Sequence, residues 1–224
     1  SMNTNNTKAL MDWVAQGGTL IANNRSTRFL ASNAEIGSVR MIQDTFENSN
    51  DYNFDLLRET SALNNEIDKK NIQQYSLDLK IEYPWESAEE RLSQEELEFR
   101  DEWQSIFMPS GAMVAGRVDN KHWLSFGAPD VLPILYGNYP VLMTGRNAEA
   151  VVRIGSYEDN NEVQDYRTIN WSSIPPGKDL NIRMSGLVWP EAAQRIANSA
   201  YLTRERVGKG QIILFSGEPN FRGS

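Results

Sequence analysis

Ala9-Leu10-Met11-Asp12-Trp13-Val14-Ala15-Gln16-Gly17-Gly18-Thr19-Leu20-Ile21-Ala22 is the stretch that decides the fold class of this chain. Leu10, Trp13 and Val14 recur at helical spacing behind Thr7, a residue type suited to an N-cap, and Gly17-Gly18 stops the helix. Thr19-Leu20-Ile21-Ala22 is a compact apolar run suited to a buried strand, and Asn23-Asn24-Arg25-Ser26 reads as the loop that breaks it. A helix followed by an apolar strand is the pattern of α/β folds, whose parallel strands lie inside and whose crossover helices cover them. Because no strand precedes the helix, the chain is expected to enter such a fold part-way, with an N-terminal half outside it.

Residues 33–80 are polar and Asn-rich, and their sparse apolar spacing at Phe54, Leu57, Leu63 and Ile67 predicts mixed loop and helix. Ser93-Gln94-Glu95-Glu96 is a capping box, in which the serine hydroxyl and the third-position glutamate satisfy each other's backbone N–H. Leu97, Phe99, Trp103, Ile106 and Phe107 then predict a helix ending before Pro109, its charged face solvated. From Gly111 the pattern changes to strands: Ala112 to Val118, Pro140 to Met143 and Ala150 to Gly155, with His122 to Gly127 a tight apolar loop. Pro190 near a first helical position opens a helix through about Ala197. Tyr201 to Val207 and Gln211 to Phe215 flank Gly208-Lys209-Gly210 as a hairpin. The expected architecture is a single α/β domain over 1–224, with 33–108 an inserted helical or divergent region and a strand-rich second half.

At 224 residues and 40% hydrophobic content, with six Trp, the chain can bury a large core without disulfides or metals. Thirty acidic residues against 22 basic ones give a net charge of −8, and no compact basic cluster interrupts that field, so nucleic acid is not an expected partner. No run approaches the roughly 18 apolar residues of a membrane span. Ser1 before Met2 reads as a scar of tag removal, so the lack of a leader carries no weight. The absence of cysteine excludes thiol catalysis, Cys-zinc sites and a disulfide framework, and leaves the compartment open.

A carboxypeptidase-type zinc site needs two His and a Glu with one open coordination position, and His122 is the only histidine. Its expected role is structural, the ring satisfied by nearby backbone. Ser216 follows an apolar strand, but no Gly-x-Ser-x-Gly elbow is present and a triad would have to recruit His122. Ser156 to Glu162 is rich in oxygen ligands yet lacks the spacing of an EF-hand loop, and reads as a solvated hairpin tip. Gly208-Lys209-Gly210 is too short for a phosphate loop, and the acids of 86–102 present no selected pair for glycoside hydrolysis. No catalytic and no metal-ligating residue is assigned.

Three segments carry a family resemblance. Ala9 to Ala22, His122-Trp123-Leu124-Ser125-Phe126-Gly127, and Gly208 to Phe215 with Phe221-Arg222-Gly223 together resemble the class I glutamine-amidotransferase-like domain that follows the catalytic domain of some bacterial zinc carboxypeptidases. The resemblance implies a flavodoxin-like or amidotransferase-like three-layer sandwich. It implies a peptidase domain in the same polypeptide, zinc held there and not here, and a periplasmic or secreted setting. In the amidotransferase pattern the turn after the first strand presents a catalytic Cys, and the equivalent turn here is Asn23-Asn24-Arg25, which cannot form the thioester. The function implied is that of a non-catalytic accessory domain that docks on or modulates the peptidase. A peptide- or glycan-binding module and a cryptic hydrolase using Ser216 or carboxylates are the alternatives.

Ligands of open α/β sheets bind beyond the carboxyl ends of the parallel strands. If the strands at Thr19 and Gln211 are parallel, Asn24, Arg25, Ser216 and Glu218 converge there. An Arg25–Glu218 ion pair is the structural expectation, and a carboxylate-bearing peptide or small anion against Arg25 is the functional one.

Overall fold

The computed structural model describes residues 4–64 and 92–220. Ile67, acids 86–91 and Phe221-Arg222-Gly223 lie outside the described residues. The chain is mixed α/β. Helix α1 (Thr4–Ala15) leads into strand β1 (Thr19–Asn23), helix α2 (Asn24–Ala31) and the short strand β2 (Arg40–Met41). Two 3-10 turns precede helix α3 (Ser49–Asn64), and helix α4 (Gln94–Ser105) follows. Then come β3 (Ala112–Val118), β4 (Val131–Tyr136), β5 (Leu142–Met143), β6 (Ala148–Ile154), β7 (Ser156–Asp159), β8 (Arg167–Ile169), β9 (Ser172–Ile174), β10 (Lys178–Asn181) and β11 (Arg183–Ser185). Helix α5 (Pro190–Ile196) and the hairpin of β12 (Ala200–Val207) and β13 (Gly210–Phe215) complete the described chain.

The main sheet has nine strands, ordered β1-β13-β12-β6-β3-β11 along its longest path, with β4 on β3 and with β5 on β12 and β2. The β1–β13 pair is parallel, whereas β12 pairs antiparallel with β13 and β6, and β3 with β4, β6 and β11, so the sheet is mixed. Period-two alternation along β13 serves two cores. Ile212 and Leu214 join Val14, Leu30, Ala31 and Met41, whereas Ile213 and Phe215 join Leu56, Val114, Ile154 and Ile196. Both faces of β13 are therefore covered.

Several local expectations hold. Ser93 accepts from Glu96 N–H at 3.3 Å while the Glu96 carboxylate accepts from Ser93 N–H at 2.8 Å, and the helix ends before Pro109. Pro190 occupies the first turn of α5 behind Trp189. Gly208 turns the β12–β13 hairpin at φ +58°.

Other expectations are corrected. Thr7 is not an N-cap: α1 begins at Thr4 and Thr7 is buried inside it. The stretch after β1 is not a loop, because α2 starts at Asn24 and takes in Arg25 and Ser26. Strand β1 is not buried on both faces: Ala22 and, in part, Leu20 pack into the core, whereas Ile21 on the other face is 63% exposed. Of Ser156 to Glu162, Ser156 to Asp159 is a strand paired with β10 and only Asn160 to Glu162 turns, with Val163 N–H donating back to the Asn160 carbonyl.

Helix α4 keeps Leu97 against the core and Phe107 half-buried, but turns the rest of its expected apolar set outward. Phe99, Trp103 and Ile106 are exposed at 73%, 53% and 72%, while Asp101 and Gln104 are buried. The charged face is thus not simply solvated. Arg195 of α5 donates to both Asp101 oxygens, at 2.8 and 3.0 Å, and Gln104 donates to Gln194 at 3.2 Å. A paired buried guanidinium holds the polar side of α4 inward. Helix α3 is held in a similar way. Arg153 of β6, almost fully buried, reaches the two Glu59 oxygens at 2.8 and 2.6 Å, Thr144 Oγ1 at 2.8 Å and the Asn198 carbonyl at 2.9 Å.

Candidate functional site

The parallel register Thr19↔Gln211 through Asn23↔Phe215 puts the carboxyl ends of β1 and β13 at one end of the sheet. The four residues singled out by sequence accordingly fall on two adjoining segments, Asn24 and Arg25 after β1, and Ser216 and Glu218 after β13. Their roles differ from expectation. Asn24, in the left-handed region at φ +42°, donates from Nδ2 to Glu218 Oε1 at 3.1 Å. Arg25 is exposed, and no ion pair joins it to Glu218 among the described residues, so the amide of Asn24 ties the two segments together. Asparagine adopts this backbone conformation more readily than most residues because its short side chain finds local hydrogen bonds.

Ser216 is buried and closed to solvent, and its Oγ faces the Tyr136 phenol, with no histidine or carboxylate bonded to it among the described residues. It lies near Tyr136, whose fully buried phenol is pushed up to about 12 by desolvation against the pull of Ser216. The Tyr201 phenol is also pushed up to about 12, by desolvation first and then by Tyr139 and the Glu218 carboxylate. Tyr139 is raised by desolvation and by Glu218. Glu218 therefore faces Tyr139 and Tyr201, with Tyr136 buried beside Ser216, and sequence reasoning missed all three tyrosines. Gly217 packs against two of them: a Cβ there would come within 2.6 Å of the Tyr139 ring and 3.1 Å of the Tyr201 ring. Tyr139 also lines an adjoining cleft of ≈ 400 Å³ with Arg28, Gln43, Asn138, Asp101 and Arg195.

His122 is engaged elsewhere. Its Nδ1 accepts from Leu124 N–H at 3.1 Å, and its Nε2 faces Glu149 Oε2 at 3.3 Å. The backbone contact matches the structural role expected, with a carboxylate added. Glu149 also accepts from Arg204 at 2.9 Å, and its pKa lies below the usual carboxylate value because these bonds outweigh its desolvation. The zinc implied for a peptidase domain does not fit these residues, since both nitrogens of the lone imidazole are committed and no second imidazole exists. Compared with protein-family models, with curated proteins and with solved structures, the chain matches none.

Proposed function

We propose that this chain is a non-catalytic accessory domain that docks, through the outward face of α4, on a peptidase domain of the same polypeptide. The observation carrying this reading is the stripe of Phe99, Trp103 and Ile106, at a spacing of four and three residues along one helical face. Ring contacts extend it: Trp103 meets Phe107 at 5.2 Å between centroids, and Phe107 meets Trp189, itself exposed, at 6.3 Å. Contiguous exposed aromatic surface of this kind marks interaction sites, because leaving it in water costs free energy that burial against a partner recovers. The family resemblance supplies the partner proposed, a zinc carboxypeptidase domain whose metal ligands lie outside this chain.

In the same reading the fold is a flavodoxin-like or amidotransferase-like three-layer sandwich. Two features support this. The left-handed Asn24 between β1 and α2 stands where the amidotransferase pattern has its nucleophile turn. Among the described residues no strand pairs with the outer edge of β1, which leaves room for a further strand. Hydrogen exchange on the isolated chain and on the full polypeptide tests the docking. Protection of the α4 amides only in the full polypeptide, abolished by the triple change Phe99→Ser, Trp103→Ser, Ile106→Ser, is the expected result. Equal exchange in both, or a full reading frame without a peptidase domain, overturns the reading.

A further inference from the structure

A second cleft, of ≈ 670 Å³, lies between the turn at Phe46, the first turn of α3, helix α4 and the β8–β9 hairpin. Phe46, Leu97 and Trp171 give it an apolar wall. Asn53 and Ser173 also line it but satisfy each other, Nδ2 to Oγ at 3.1 Å and Ser173 N–H to Oδ1 at 3.0 Å.

What remains unspent is a pair of donors. Trp171 is almost wholly buried, and its Nε1–H has no acceptor, a loss that buried polar groups seldom bear without a ligand or water to accept from them. Arg100 is half-buried and makes no ion pair with any described residue. Its neighbour Asp101 commits both oxygens to Arg195. Desolvation lowers the Arg100 pKa against the pull of Asp101. Among the described residues that line the cleft the one carboxylate is Glu47, and it is exposed.

We propose that this cleft binds a small organic carboxylate. The acid would lie on the Arg100 guanidinium, the ligand body against Phe46, Leu97 and Trp171, and one ligand oxygen would accept from Trp171 Nε1–H. A guanidinium recognises a carboxylate through two parallel N–H donors, and an indole presents a flat apolar face with one donor at its edge. The proposal is independent of docking through α4, which uses the opposite side of that helix.

Such a carboxylate can be a peptide C-terminus or a sugar acid, and calorimetric titration separates them. The probes are hippurate with its uncharged amide, and glucuronate with methyl glucoside. Binding of either acid at least tenfold tighter than its uncharged partner supports the proposal and identifies the source. Arg100→Gln should lower the affinity about tenfold or more, as expected for the loss of a charge-assisted pair, and Trp171→Phe should lower it several-fold. Absence of binding by both acids, acids no tighter than their uncharged partners, or full affinity in a folded Arg100→Gln variant overturns it. The comparison of acid with amide needs no variant, so a misfolded variant leaves the proposal open to refutation.

Discussion

Asp101 on α4 and Arg195 on α5 form a buried two-pronged ion pair, Nε to Oδ1 at 2.8 Å and Nη2 to Oδ2 at 3.0 Å, across 94 residues of sequence. That pair turns the polar side of α4 inward and leaves Phe99, Trp103 and Ile106 facing out. Removing one partner strands the other's charge in a low-dielectric site. Asp101→Ala should lower unfolding free energy by about 3–5 kcal/mol, read from urea midpoints. Adding Arg195→Met to that variant should restore much of the loss, and a double variant as unstable as the single one would show that the stranded charge is not the cause.

Gly210 opens β13 where α1 ends. A Cβ there would sit 2.0 Å from the Val14 carbonyl oxygen and 2.2 Å from that of Gly18, both backbone atoms that cannot swing away. Overpacking of this kind should cost Gly210→Ala about 3 kcal/mol. A melting temperature equal to that of the unaltered chain would place α1 farther from β13 than described.

Asn24 combines φ +42° with the 3.1 Å bond to Glu218. Asn24→Gly keeps the backbone conformation and loses the bond, whereas Asn24→Ala loses both, with a left-handed penalty of about 1–2 kcal/mol. Thermal unfolding should therefore rank the alanine variant below the glycine variant. The reverse order would mean that residue 24 is not left-handed.

Tyr136 and Tyr201 have phenols raised from 10.0 to about 12 by desolvation. A raised folded pKa contributes stability that is complete below the unfolded value and is lost as pH rises through the folded one. Stability should thus fall between pH 10 and about 12 as the unfolded phenols ionise first. Phenolate absorbance should show a late-titrating fraction that coincides with unfolding, and Tyr136→Phe should shrink the alkaline loss. Early titration of every tyrosine would refute the burial of Tyr136 and Tyr201.

Some of the candidate site was legible and some was not. That Asn24, Arg25, Ser216 and Glu218 would share one end of the sheet followed from two apolar runs, conditional on a parallel pair, and β1–β13 is parallel. Which of them would touch was not legible, because Asn24 takes Glu218 through a backbone turn no spacing announces. The tyrosines around them were missed because β4, β12 and the segment before β5 meet there only after the sheet is assembled.

Local rules written in the sequence determined the capping box at Ser93, the Pro190 start of α5, the β12–β13 hairpin and the glycine stop after α1, because each is settled by sterics and hydrogen bonds within a few residues. Composition alone removed cysteine chemistry and a histidine-pair metal site. Only the tertiary structure decided which side of α4 faces water. Phe99, Trp103 and Ile106 share their helical period with Asp101 and Gln104, and periodicity cannot choose between two stripes on one helix. The choice fell to Arg195 and Gln194, residues about 90 positions away that reach α4 only once α5 has packed, and the energy of satisfying buried polar groups outweighed the burial of three apolar ones.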